Sequence, residues 1–504
     1  MNRDPIMNCK TIICLVSLIV TFAGPGCISQ PASQSDNSQQ NDTNDINVDG
    51  IKDIEGLWMG SLKVPNGLEL RILFNISTKT DGSISATMDS LDQGAKDIPV
   101  EAATYKNGSL KLEVKSIKGT FEGTLKADGK TIDGKWKQAG SDLPLVLNRI
   151  DKAPDLHKKQ DPVKSYPYVD EEVVYENKAA GVKLAGTLTL PRSDGRFPAV
   201  ILITGSGQQN RDEEIFGHRP FLVLSDYLTR QGIAVLRVDD RGIGGSTGNV
   251  SQATTEDFAG DVLAGVEYLK SRKEIDPTRI GLIGHSEGGI IAPLVAVRSP
   301  DVAFIVMMAG TGLTGEEILY LQSSLIYRAE GASNETIARN EALNEKIFTI
   351  VKEEQNNTVA EEEIHKLLKA EMAKMSEEEI KNSGYSEANL DTQIKATLSP
   401  WMRFFLTYDP KPTLTKVKCP VLAIDGEKDL QVPPHENLRA IEEALKAGGN
   451  KDYTIKEMPG LNHLFQTAQT GSPTEYAKIE ETISPAALEF MGNWILEHTQ
   501  KDEK

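Results

Sequence analysis

From Glu172 onward, short apolar runs alternate with amphipathic stretches of helical period, and this alternation limits the fold more than any other feature of the chain. Val182–Leu190 reads as a strand and Ala199–Thr204 as a buried one. Pro220–Gly232 has helical spacing and ends on a glycine. Ile233–Asp239 is the next strand, and Thr255–Arg272 is a helix opened by acidic residues. Strand, helix and strand follow at 279–284, 288–299 and 302–310. Such a pattern specifies a mostly parallel sheet with helices on both faces. It stops at Gly310 and resumes with a strand at Cys419–Asp429, a helix at 435–449, a strand at 452–459 and a helix at 485–500. The intervening residues 311–400 are strongly helical, so they read as a helical cap inserted into one α/β domain spanning 172–504.

The residues before 172 differ in kind. The chain has 504 residues, more than one domain usually needs. Arg3 and Lys10 precede an apolar stretch, Thr11–Ala23, of 13 residues. A membrane-spanning helix needs about 20, so this suits a signal-peptide core. The segment ends in Gly-Pro-Gly-Cys, with Cys27 last, which resembles a lipoprotein cleavage box. Residues 1–27 are therefore expected to be a signal peptide, with Cys27 lipidated and the protein held outside the cytoplasm on a membrane by that anchor alone. Residues 28–50 are Ser-, Gln-, Asn- and Asp-rich without Lys or Arg, the composition of a disordered tether. Residues 51–150 carry short alternating runs separated by Asn66-Gly67, Asp81-Gly82, Asn107-Gly108, Asp128-Gly129 and Asp133-Gly134. Those pairs suit hairpin turns, so an antiparallel β domain is expected there, a sandwich or small barrel with Trp58, Phe121 and Trp136 in its core. Residues 151–171 are polar with three prolines and read as a linker.

Charge and cysteines narrow the function. The net charge of −18 makes a nucleic-acid partner improbable, because such a surface repels phosphate backbones. Of the four cysteines only Cys419 lies in the body of the chain, where it reads as a small core residue. The chain has no His-Glu-x-x-His and no paired Cys-x-x-Cys, so no metal site is indicated, and no cofactor. In Asp239–Gly248 a dinucleotide loop fails, because position 247 is Thr247.

One motif carries chemistry. In Gly284-His285-Ser286-Glu287-Gly288 a serine sits between a buried strand and a helix. That context is a nucleophile elbow, whose glycines let strand and helix approach. A nucleophilic Ser286 needs a base, and the base needs an orienting acid, in the chain order Ser, acid, His. Four of the seven histidines follow Ser286. His365 lies in the insertion, facing solvent; His435 begins a helix and His498 is in the last one. His463 lies in a loop after a strand, the place for a base. Two aspartates are candidates for the acid. Asp429 sits in the loop beyond its strand, and Asp425, still in the strand, is expected to be structural. Oxyanion donors are expected from the backbone N–H of Glu287 and, in the glycine-bearing loop after Thr204, of Ser206.

With these residues in place, 172–500 resemble an α/β-hydrolase fold serine hydrolase. They are similar to microbial carboxylesterases and to their acyl-peptidase and prolyl-oligopeptidase relatives. The resemblance rests on GSGQQNRDE, DDRGIGGSTG, GHSEGG, DGEKDLQVP and GLNHLF, in family order, and covers about two-thirds of the chain. It implies the triad Ser286, Asp429 and His463, an acyl-enzyme, and a small-molecule ester as substrate. Aminopeptidase or acyl-peptidase activity on the same triad is the alternative. A surface binding protein with an inert hydrolase domain is a third reading, against which the intact set of triad residues argues.

Overall fold

The computed structural model describes residues 53–63, 69–79, 83–93, 95–138, 141–154, 158–375 and 387–499. Cys27, the leader and the tether lie outside the described residues. The chain forms two compact units, one of antiparallel strands and one of α/β architecture.

The first unit is a nine-stranded antiparallel sheet. Its strands are β1 (Gly56–Lys63), β2 (Glu69–Thr78), β3 (Ile84–Ser90), β4 (Ala95–Val100), β5 (Ala102–Lys106), β6 (Ser109–Val114), β7 (Gly119–Leu125), β8 (Thr131–Gln138) and β9 (Ser141–Ile150). Their spatial order is 4-3-2-1-9-8-7-6-5. Buried and exposed residues alternate along β6, as they must when one face of a sheet meets the core. The sheet curls around that core. Phe74 on β2 lies 5.9 Å from Phe121 on β7, although three strands separate β2 from β7 in the sheet. Trp58, Phe121 and Trp136 are all buried, as expected. Asn107 and Gly108, both at positive φ, turn β5 into β6. Asp133-Gly134 is a correction: it lies inside β8, not in a turn. A Cβ on Gly134 would come within 2.8 Å of the Phe121 ring and 2.5 Å of the Glu122 carbonyl. The glycine makes room for an aromatic core residue.

The second unit holds an eight-stranded sheet. Its strands are β10 (Val169–Asn177), β11 (Val182–Leu190), β12 (Phe197–Ile203), β13 (Ala234–Val238), β14 (Ile275–His285), β15 (Val302–Met308), β16 (Val421–Gly426) and β17 (Tyr453–Met458). The order is 10-11-13-12-14-15-16-17, with β10 and β11 antiparallel and the rest parallel. This is the expected α/β-hydrolase fold. β12 to β16 are buried almost throughout, the signature of strands covered on both faces. The parallel register sets the ends of five strands along one edge: Ile203 pairs with Gly284, His285 with Met308, Met308 with Ile424, and Gly426 with Met458. The loops after β12, β14, β16 and β17 therefore open onto the same edge, where open α/β sheets bind ligands.

Two boundaries differ from expectation. The expected linker is docked from Lys158 onward: Asp161 pairs with Arg219 at 2.6 Å, Gln160 Nε2 donates to the Ile483 carbonyl, and Tyr168 donates to Asp226. The first strand then begins at Val169, which pairs with Leu190 at the end of β11. The cap does not end at Pro400. Its helices are Gly315–Ala329, Asn334–Glu353, Asn357–Met372, Glu387–Thr397, Pro400–Thr407 and the short Lys411–Leu414, so the insertion runs almost to β16. Pro400 starts a helix, the position where its missing N–H costs nothing, instead of stopping one.

Candidate active site

Ser286 occupies the tight turn between β14 and the helix Gly288–Ala296, at φ +53°. A non-glycine residue in that region is strained and needs its surroundings to hold it there. Its N–H donates to the Met308 carbonyl at 2.8 Å. The glycines on either side are required by contact. A Cβ on Gly284 would sit 1.9 Å from the Gly288 carbonyl oxygen, and one on Gly288 would sit 2.3 Å from that of Ile203.

Asp429 and His463 come together behind it. His463 Nδ1 is 2.6 Å from Asp429 Oδ2, and both side chains are buried. Asp429 Oδ1 accepts from the N–H groups of Gln431 at 2.7 Å and Val432 at 2.9 Å, which fixes the carboxylate with its other oxygen toward the imidazole. A carboxylate on Nδ1 selects the tautomer that leaves Nε2 free to accept a proton. Asp425, the other candidate acid, is fully buried and makes no contact with His463. Burial pushes its carboxyl well above the usual range, and the neighbouring Asp429 charge adds to the push.

Ser206, Ser286 and Glu287 line one cavity of about 40 Å³. Among the described residues, neither the Ser206 nor the Glu287 backbone N–H has a protein acceptor. The Ser286 hydroxyl has no partner there either, and its link to His463 is not closed; such hydrogen bonds commonly tighten only around substrate.

The neighbouring motifs hold this arrangement. Asp240 lies under the Thr204–Gln209 loop, accepting from Thr204 Oγ1 at 2.7 Å and the Gln209 N–H at 2.9 Å. Burial raises its pKa to about 8. Asp239 accepts from the Arg211 backbone and guanidinium, and Arg241 clamps Asp261. Asp239, Asp240 and Arg241 thus serve the structure of this turn.

Sequence reasoning missed three side chains. Glu213, at φ +52°, accepts the Gly205 N–H at 2.8 Å and faces His285 Nδ1 at 2.9 Å on the same oxygen. His285 Nε2 reaches the His463 carbonyl at 3.0 Å. Both of its partners are acceptors, so only the doubly protonated ring satisfies both. Burial opposes that charge, but the Glu213 carboxylate outweighs it and the pKa is raised. These two buried residues tie together the Gly205 loop, the elbow and the His463 loop. The third is Trp401, whose indole N–H donates to Glu287 Oε1 at 2.7 Å and whose ring stacks on Phe405 at 5.2 Å. Thr255 donates to the same Glu287 oxygen, and burial raises the Glu287 pKa. Glu213 stood in a quoted motif and His285 beside the serine. Trp401 carried no signal, lying one residue beyond the expected cap.

His365 is a correction. It does not simply face solvent: its Nε2 pairs with Asp391 at 2.8 Å, and the side chain is mostly buried. Glu361 joins this group, and none of the three lines the Ser286 cavity. Cys419 is half-buried, and burial pushes its thiol up to about 11, so it is not a nucleophile.

The family described as serine aminopeptidase, S33, matches residues 220–467. Esterase EstD of Thermotoga maritima is 25% identical over 356 residues, 70% of this chain and 76% of its own. The putative hydrolase YtaP of Bacillus subtilis is 30% identical over 117 residues, 20% of this chain and 39% of its own. The Pyrococcus furiosus esterase Pf2001 superposes with a TM-score of 0.38 at 19% identity, over 66% of this chain and 91% of its own. The chain has the α/β-hydrolase fold, and the family match and the esterase relative are consistent with a serine hydrolase of that fold.

Proposed function

We propose that this protein is a carboxylic ester hydrolase acting on short acyl esters through Ser286, His463 and Asp429. The observation that carries the reading is the buried 2.6 Å His463–Asp429 pair at the sheet edge that also presents the strained Ser286. Ser286 Oγ attacks the acyl carbonyl while His463 Nε2 takes its proton. The carbonyl oxygen, now negative, is held by the Ser206 and Glu287 N–H groups. His463 returns the proton to the departing alkoxide, leaving an acyl-enzyme. Water, deprotonated by the same imidazole, then releases the acid. Asp429 holds the ring and stabilises its charged form. An ester suits this machinery, since an alkoxide needs less acid assistance in leaving than an amine. The small cavity beside Ser286 supports a short acyl group.

The description of the matching family favours a second reading, an aminopeptidase or acyl-peptidase on the same triad. The two are separated by kcat/KM for p-nitrophenyl acetate and butyrate against aminoacyl-anilides and acyl-peptides. Esters are expected to lead, and a peptide ahead by about tenfold, 1.4 kcal/mol of transition-state preference, overturns the esterase reading. Fluorophosphonate labelling, lost in Ser286→Ala, tests the enzyme readings against an inert binding protein.

We also propose a lipid anchor at Cys27, supported by the basic, apolar and Gly-Pro-Gly-Cys succession that precedes it. Cys27→Ser is expected to release the protein from membranes or leave it unprocessed. Wild-type protein found soluble in the cytoplasm with residues 1–26 retained ends that proposal.

A further inference from the structure

Two cavities of the α/β unit meet at Trp401. On one side lies the chamber of about 40 Å³ that holds Ser286. On the other lies a chamber of about 270 Å³. Its wall includes Val250, Ala253, Phe258, Ala396 and Met402, and it begins at Gly207 and Gln208, directly after the Ser206 that lines the first. The exposed lining is mainly apolar. No part of the mechanism uses this space.

The wall between the chambers is a built feature. The Trp401 indole donates to the buried Glu287, one residue after the nucleophile, and stacks on Phe405 at an interplanar angle of 7°. A hydrogen bond at one edge and a parallel ring on a face fix the plane of the indole. Large planar side chains held in this way set the size of apolar pockets.

We propose that the Trp401 indole sets the chain-length limit of the ester substrate by closing the Ser286 chamber off from the larger apolar chamber behind it. The proposal rests on the esterase reading for its substrate class. With the indole in place, Ser286 works on groups that fit the smaller chamber. With it removed, the two chambers join, and a longer alkyl chain extends over Gly207 and Gln208 toward Phe258 and Ala396. The occupant is apolar because the lining offers it few polar partners; a charged or sugar-like group would lose its hydration there without replacement.

The test uses the full chain and two probe series. One is p-nitrophenyl esters from acetate to decanoate. The other is fluorophosphonates carrying ethyl to decyl chains, which lose fluoride as the Ser286 Oγ–P bond forms, whether or not esters turn over. All rates are referred to the serine titrated by a fluorophosphonate, so unfolded molecules drop out. Trp401→Ala is expected to raise the decanoate-to-acetate ratio of kcat/KM by about tenfold or more, within the range that differences in pocket fit command. The decyl-to-ethyl ratio of labelling rates rises with it. Trp401→Phe, which loses the N–H but keeps a ring, gives a smaller rise in the same direction, and it is the variant read if Ala at 401 prevents folding. Adding Ala396→Phe to the opened variant fills the chamber and cancels the rise. Unchanged ratios in the Trp401 variants overturn the proposal, as does a rise that survives Ala396→Phe. A wild-type enzyme that is labelled but turns over no ester sinks the esterase reading instead, and the labelling ratios then decide the subsite by themselves.

Discussion

Asp425 and Asp429 are four positions apart on one strand and its loop, yet their environments differ. Asp429 has two backbone N–H groups and the His463 ring as partners, whereas Asp425 is buried beside a charge of its own sign. Asparagine mimics a neutral carboxyl but cannot stabilise an imidazolium. Asp429→Asn is therefore expected to lower kcat on the order of 10³–10⁴-fold, and Asp425→Asn by only a few-fold. Comparable losses at the two positions would remove Asp429 from its role. The His285–Glu213 pair makes a second prediction, with a definite sign. The folded pKa of His285 is raised above the unfolded value of about 6.5. The stabilisation is thus complete below that value and is lost as pH rises through the raised one. The melting temperature of Glu213→Gln should fall below wild type more at about pH 6 than at about pH 9. A gap independent of pH would mean that the pair is not charged.

At the scale of elements, the site depends on how closely a strand, a turn and a helix approach. Gly284 and Gly288 are placed where any side chain meets backbone, which cannot move aside as a flexible side chain can. Gly284→Ala is expected to destabilise the α/β unit by about 3 kcal/mol or more, the upper end for overpacking, seen as a lowered urea midpoint. A midpoint within error of wild type would show that the elbow tolerates a looser turn. Among the described residues, the cap meets the elbow through one hydrogen bond, Trp401 to Glu287. That bond joins the cap to the residue after Ser286, so the pocket wall and the elbow share a support.

At the scale of the molecule, each unit has its own core, and the segment leading into the α/β unit is part of it. Asp161 is almost fully buried and its charge is matched by Arg219, at the entry to the helix Pro220–Arg230. Asp161→Ala leaves that guanidinium without its partner, and a loss of about 1.5–3 kcal/mol in unfolding free energy is expected for the α/β unit. No change on substitution would make residues 158–168 the passive linker that their composition suggests.

The amino-acid sequence by itself determined the order of elements and the identity of the chemically distinctive residues. Buried parallel strands must be apolar runs, and a turn as tight as the elbow must be flanked by glycine, so both are written locally. The separation of Asp429 from Asp425 was legible for the same reason, since one lies beyond the strand and the other within it. What only the tertiary structure decided are the contacts between distant segments. Trp401 lies 114 positions after Glu287, and His463 lies 178 after the His285 ring that supports its carbonyl. Asp133-Gly134 has the letters of a turn, but the Phe121 ring on the adjacent strand makes it a strand. The prolines at 154, 162 and 167 suggest a free linker, but a buried ion pair holds the chain from Lys158 on. Periodicity records which face a residue turns to the core; which side chain waits for it there depends on how the sheet closes and where the cap lands.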